Sequence, residues 1–211
     1  MADGPKIGDR CLYLCTPDRP DLAEFIEACV AGGVDVVQLR EKILDARPLL
    51  ARASIAATVC HRLGVPFILN DRPDLALECG ADGVHVGQDD APPSLARRIL
   101  GDDAIVGFST HAPAELDAAA EEPVDYISTG PVEPTPTKQG RPGTGLGYLG
   151  YAAANTPNGR PFFVTGGVTP ERIPVMKRAG ATRFLVVRYL TEAPDPEVNA
   201  RTLRAAITAD S

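Results

Sequence analysis

The chain is short of the residues on which most metal and proton chemistry relies. Its three histidines, His61, His85 and His111, stand far apart. Its five cysteines, Cys11, Cys15, Cys29, Cys60 and Cys79, show no CxxC spacing. Both facts argue against a zinc site. Odd in number and set in apolar patterns, the cysteines read as buried reduced thiols, which implies a cytoplasmic protein. A basic surplus is missing too. The formal net charge of −7 argues against nucleic acid as a partner, although local cations and helix N-termini can still hold a small anion. The opening MADGPKIGDR has no apolar signal core, and no run approaches the length of a membrane span, so no membrane partner is expected.

What is present is a rhythm. Short apolar runs recur at 11–15, 34–40, 66–71, 83–87, 104–110, 124–130, 161–167 and 183–189. Amphipathic segments such as DLAEFIEACVAGG, ARPLLARASIAATVCHRLG and TPERIPVMKRAGA lie between them. Apolar strands alternating with helices indicate parallel β/α units, because a parallel connection needs a crossover. Eight units predict one α/β domain over 1–211, a closed (β/α)8 TIM barrel with its active site at the C-terminal strand ends. The phrases AGGVDVV, CGADGVHV and RAGATRFLV repeat a helix-to-strand turn whose glycines suit a left-handed cap. An open doubly wound sheet is the alternative, but its Gly-rich loop is absent where LCTPDRP follows the first strand.

The stretch 130–147, GPVEPTPTKQGRPGTGLG, breaks both helix and strand patterns. Alone it reads equally as a linker or a ligand loop. Because the β/α rhythm continues on both sides, it is expected to be the active-site loop after the sixth strand. In QLREK, Gln38, Arg40 and Lys42 alternate and so share a side at the second strand's exit. Two cations there call for an anion. Asn70 and Asp71 end the third strand, Asp89 and Asp90 follow the fourth, and Ser109 and Thr110 end the fifth. Carboxylates on neighbouring strand ends suit Mg²⁺ completed by substrate phosphates. In TGGVTPER, Gly166 and Gly167 precede Thr169 and Pro170, read as N-cap and N1 of a helix beside a second phosphate site. His85 reads as a satisfied interior histidine, His61 as a helix-surface residue, and His111 as a weaker catalytic candidate.

In their order and spacing, QLREK, ND at 70–71, GADGVHVGQDD at 80–90, GP and TPTK at 130–138, and TGGV at 165–168 resemble the thiamine-phosphate synthase family over nearly the whole chain. The resemblance implies small-molecule substrates, a hydroxymethylpyrimidine diphosphate and a thiazole phosphate, joined with release of diphosphate. By position it implies that Gln38, Leu39, Arg40, Glu41, Lys42, Asn70, Ser109 and Lys138 contact the pyrimidine diphosphate. Asp71 and Asp90 would hold Mg²⁺. Thr135, Pro136, Thr137, Gly167, Val187 and Arg188 would hold the thiazole phosphate. Two positions depart from the family pattern: Glu133 stands where an aromatic residue is common, and Arg188 where a serine is common.

The implied chemistry fits a chain poor in histidine. An aminopyrimidine stabilises a cation on its exocyclic carbon as diphosphate leaves, with charge stabilised by Arg40, Lys42 and Lys138. The attacking thiazole nitrogen carries no proton, so no general base is needed. Two other functions stay open on the sequence: a related barrel isomerase using His111, and a non-catalytic phosphate-ligand sensor.

Overall fold

The computed structural model describes residues 7–135, 142–156 and 159–209. Eight parallel strands close in chain order into a barrel: β1 (Leu12–Thr16), β2 (Val36–Leu39), β3 (Phe67–Asn70), β4 (Gly83–Val86), β5 (Ile105–Thr110), β6 (Tyr126–Thr129), β7 (Phe162–Val164) and β8 (Phe184–Val186). Every strand falls within one residue of a run read from the sequence. Around them stand α1 (Leu22–Ala31), α2 (Ala46–Leu63), α3 (Pro73–Glu78), α4 (Pro93–Leu100), α5 (Pro113–Ala118), α6 (Gly145–Asn155), α7 (Ile173–Arg178), α8 (Arg188–Thr191) and α9 (Pro196–Thr208). The turn glycines do what their phrases imply: Gly33, Gly80 and Gly180 have φ of 109°, 70° and 100°, where a side chain would be strained.

Alternation along each strand sends side chains to two separate cores. Outward-facing residues such as Leu12, Leu14, Val37 and Leu39 pack against the helices. Inward-facing Tyr13, Val36, Ile68, Ile105, Tyr126, Phe163 and Leu185 fill the barrel itself. The Tyr126 ring needs more space than eight ordinary side chains would leave. Gly107 on β5 supplies it, since a Cβ there would come within 2.1 Å of the ring.

One device repeats at the N-terminal face. The Asp35 amide donates to the Leu12 carbonyl at 2.9 Å, while its Oδ1 accepts from the Leu12 amide at 2.9 Å. Asp82 makes the same reciprocal pair with Phe67, at 2.9 and 2.7 Å. Asp125 makes it with Val106, at 2.8 and 2.7 Å. Each carboxylate thus staples the start of β1, β3 or β5 to the next strand. Each also meets a side chain from a helix: Arg204 at 2.8 Å, His61 at 3.1 Å and Arg97 at 2.7 Å. His61 does lie on a helix surface, as its sequence context implies.

Placing a methyl against the Tyr126 ring overpacks a closed core. Gly107→Ala is expected to destabilise the protein by about 1–3 kcal/mol. Urea unfolding should show a lower midpoint with an unchanged slope.

Candidate active site

The upper interior of the barrel is polar. Gln38, Asn70, His85, Ser109 and Ser128 point inward from β2 to β6, and none is more than 6% exposed. Above them a cavity of about 280 Å³ lies at the strands' C-terminal ends. Gln38, Arg40, Asn70 and Ser109 line one side of it. Thr135, Gly167, Val187 and Arg188 come from the segments after β6, β7 and β8. Residues read from six separate stretches of the sequence therefore meet in one space. The buried Asn70 Nδ2 has no partner among the described residues, and leaving a buried amide unpaired costs about 1–3 kcal/mol. An acceptor supplied by a ligand removes that cost.

Other candidates stand elsewhere. Leu39 is fully buried among the outward-facing residues that pack on helices, so its side chain does not face the cavity. Glu41 shapes the chain after β2, its Oε1 accepting from the Ile43 amide at 2.7 Å. Lys42 does not continue the Gln38–Arg40 side, because the strand has ended and the chain bends there. Its Nζ lies 2.8 Å from Asp71 Oδ2. Pro136, Thr137 and Lys138 lie outside the described residues. The loop read as 130–147 gives way to α6 at Gly145, three residues early.

Asp71 and Asp90 come together as expected for a shared cation. Their carboxyl groups are close enough to shift each other's ionisation, and Asp90 Oδ2 accepts from the Gly87 amide at 2.8 Å. Burial pushes the Asp71 carboxyl above its ordinary range; Lys42 opposes the rise and Asp90 adds to it. Burial acts against ionised Asp90 as well, but the neighbouring Asp71 carboxyl and the hydrogen bond from the Gly87 amide hold it below its ordinary value. Among the described residues Asp71 is the one non-glycine with positive φ, at 64°. Aspartate tolerates that backbone better than most residues. Among the described residues no cluster of three metal-ligating side chains is found. Two carboxylates suffice for Mg²⁺ when substrate oxygens and water complete its shell.

The turn after β7 is crowded enough to demand glycine twice. Gly166 and Gly167 have φ of 89° and 74°. A Cβ at Gly166 would strike Pro131, and one at Gly167 would strike the Glu133 carboxylate. Glu133 is ion-paired with Arg172, so the segment after β6 packs directly on this turn. Thr169 and Pro170 are not the N-cap and N1 of α7. Arg172 is the N-cap, because the Arg172 and Ile173 amides both turn back to the Thr169 carbonyl at 3.0 Å and insert an extra turn.

His111 is engaged by Glu115, which accepts from both its amide and its ring at 2.8 and 2.9 Å. His85 is satisfied inside the barrel, with Nδ1 2.9 Å from Tyr126 Oη and Nε2 2.9 Å from Ser109 Oγ. The sequence reading missed Tyr13, Tyr126, Cys15 and Ser128. Their signal is period-two alternation: Tyr13 and Cys15, like Tyr126 and Ser128, share the inward face of one strand.

Residues 12–190 match the family described as thiamine monophosphate synthase. The chain is 46% identical over 216 residues to the thiamine-phosphate synthase of Mycobacterium bovis, covering 97% of each protein. It is 47% identical over 210 residues to that of Mycolicibacterium smegmatis, covering 94% of this chain and 92% of the relative. A solved thiamine phosphate pyrophosphorylase from Pyrococcus furiosus shares the fold, with TM-score 0.84 at 23% identity over 94% of this chain and 96% of that one.

The carboxylate pair has a measurable signature without any ligand. The folded state holds the Asp71 proton more tightly than the ordinary value of 3.8. That contribution to stability is complete below 3.8 and is lost as pH rises through the raised value. Asp71→Asn keeps the size and the left-handed backbone and removes the charge. It is expected to melt higher than the parent at neutral pH, with the difference shrinking as pH falls below that ordinary value. A lower melting temperature at neutral pH would mean that the Lys42 pair outweighs burial.

Proposed function

The chain belongs to the thiamine monophosphate synthase family, a family of transferases, and from that premise we propose that it joins 4-amino-2-methyl-5-hydroxymethylpyrimidine diphosphate to 4-methyl-5-(2-hydroxyethyl)thiazole phosphate, or its carboxylated form, in thiamine biosynthesis. One observation carries the reading. A single cavity is lined by Gln38, Arg40, Asn70 and Ser109 on one side and by Thr135, Gly167 and Arg188 on another. Two anionic ends and a heterocycle between them match that distribution of groups.

In this reading Gln38, Asn70 and Ser109 hold the aminopyrimidine by its polar edge while Arg40 and Lys42 take the diphosphate. Asp71 and Asp90 would hold Mg²⁺, whose chemistry there is to neutralise negative charge on the diphosphate oxygens. The bond from the exocyclic carbon to oxygen breaks with its electron pair going to diphosphate. The ring's amino group stabilises the carbon left behind. The thiazole nitrogen then donates its lone pair to that carbon, and no proton moves. Gly167, Val187 and Arg188 hold the thiazole phosphate, assisted by Thr135 and by Pro136 and Thr137 of the segment outside the described residues. Arg188 brings a full charge to a place where the family commonly has a hydroxyl. Closure of the segment 130–147 over both ligands keeps water from the cation.

An isomerase using His111 is less well supported, since His111 is held by Glu115 and is not among the cavity-lining residues. A test assay supplies both heterocycles with Mg²⁺ and follows thiamine phosphate and diphosphate. Equal amounts of the two products are expected, and none in excess chelator. Binding without turnover would leave a sensor instead.

Two variants divide the site. Arg188→Ala should raise KM for the thiazole phosphate by roughly 10-fold or more, the scale of a lost charge-assisted hydrogen bond, with little change for the pyrimidine. Equal changes would show that the two anion sites are wrongly separated. Lys138→Ala should lower kcat by roughly 10²–10³, the scale for one preorganised transition-state contact. Affinity for the pyrimidine diphosphate should change less, because Arg40 and Lys42 remain.

A further inference from the structure

Six side chains form one unbroken chain of hydrogen bonds through the barrel interior. Cys15 Sγ lies 3.0 Å from Gln38 Oε1, and Gln38 Nε2 lies 3.0 Å from Tyr13 Oη. The Tyr13 and Tyr126 hydroxyls are 2.8 Å apart. Tyr126 Oη is 2.9 Å from His85 Nδ1, and His85 Nε2 is 2.9 Å from Ser109 Oγ. Tyr13 and Tyr126 are fully buried, and Cys15, Gln38, His85 and Ser109 nearly so. The chain crosses the barrel from Cys15 to Ser109, and Cys15, Gln38, His85 and Ser109 all line the cavity.

Such a chain has a direction, because each hydroxyl carries one proton. The Gln38 carbonyl accepts from the Cys15 thiol, so the Gln38 amide donates to Tyr13. Tyr13 then gives its proton to Tyr126, and Tyr126 gives its own to His85 Nδ1. An imidazole that accepts at Nδ1 carries its proton at Nε2, where it donates to Ser109 Oγ. The Ser109 proton is thereby turned away from His85. Burial raises both phenols above their ordinary range and keeps them neutral donors. The His85 ring is fixed in plane by stacking on Tyr126, with centroids 5.5 Å apart and 28° between planes.

We infer that Tyr126 and His85 are positioning residues that set Ser109 as a hydrogen-bond donor to a ring nitrogen of the aminopyrimidine. The inference rests on the substrate reading above. Tyr126 is not among the residues lining the cavity, and His85, which is, acts through Ser109. They decide which way the serine hydroxyl faces, and a serine facing the other way would present lone pairs to the lone pair of the ring nitrogen. Reversing the Gln38 amide would reverse every proton in the chain, so Cys15 holds the setting at its far end.

Two measurements test this on the full-length protein. Nitrogen-15 spectra of histidine-labelled, ligand-free protein read the His85 tautomer, with His85→Gln assigning its signals among the three histidines. A proton on Nε2 is expected; a proton on Nδ1 overturns the relay. Tyr126→Phe keeps the ring and removes the donor to Nδ1. It should raise KM for the pyrimidine diphosphate about tenfold, the scale of one hydrogen bond that binding depends on. KM for the thiazole phosphate should stay within about twofold, inside the scatter expected of independent sites. In a Ser109→Ala background the same substitution should have no further effect on KM, as for two residues acting through one contact. His85→Gln, with a different packing cost, should repeat the selectivity. Equal rises in both KM values, or full additivity with Ser109→Ala, would reduce the chain to a structural role and overturn the inference. Absence of thiamine phosphate from the parent enzyme would instead remove the substrate reading and the ligand named here, and the tautomer would still decide the direction of the relay.

Discussion

The hydrogen bond between the Tyr13 and Tyr126 hydroxyls joins β1 to β6 in the interior of a closed barrel, where water has little access. A barrel of eight strands must fill itself with side chains, and any polar group taken inside has to find its partner there. Two tyrosines satisfy both demands: their rings pack edge-on against Phe163, and their hydroxyls satisfy each other. Everything polar above them builds on this pair. Gln38 is anchored on one hydroxyl and His85 on the other, so side chains that line the cavity stand on a rigid base rather than on loops. Gly107 belongs to the same arrangement, as the gap that lets Tyr126 lie where it does.

The two faces of the barrel divide the work. At the N-terminal face, carboxylates face backbone amides and a basic or histidine side chain, and their hydrogen bonds are internal. At the C-terminal face the balance is left incomplete. The Asn70 amide has no partner among the described residues, Asp71 sits in a left-handed backbone conformation uncommon outside glycine, and two neighbouring carboxyl groups shift each other's ionisation. Unpaired donors, local strain and like charges cost stability, and they are placed together where a ligand can offset them.

Much of this was legible in the residues themselves. The strands were readable because parallel barrel strands are buried on both faces, so their apolar runs stand out, and the glycine turns because left-handed backbone selects glycine. The site was readable where chemistry is carried by unusual types at strand ends, as in Gln38, Arg40, Asn70 and the aspartates. The direction of Lys42 was not, because it depends on where β2 ends and on the pull of Asp71 across a neighbouring strand. The start of α7 was missed because a threonine–proline pair also suits the turn that precedes that helix. Tyr126 was hidden for another reason: a tyrosine in an apolar strand looks like ordinary core, and only closure of the barrel brings its hydroxyl to Tyr13 on β1 and His85 on β4.

The aspartate staples also bear on how the barrel comes together. Three of them bridge short stretches of chain, 23, 15 and 19 residues. The entropy of closing a loop grows with its length, so these joints are the least costly to form, and each can appear as soon as two successive strands exist. The bond from Arg204 to Asp35 spans 169 residues and ties the last helix to the joint between the first two strands. A ring built by neighbouring pairs would close last between β1 and β8, the seam beside which Arg204 reaches Asp35.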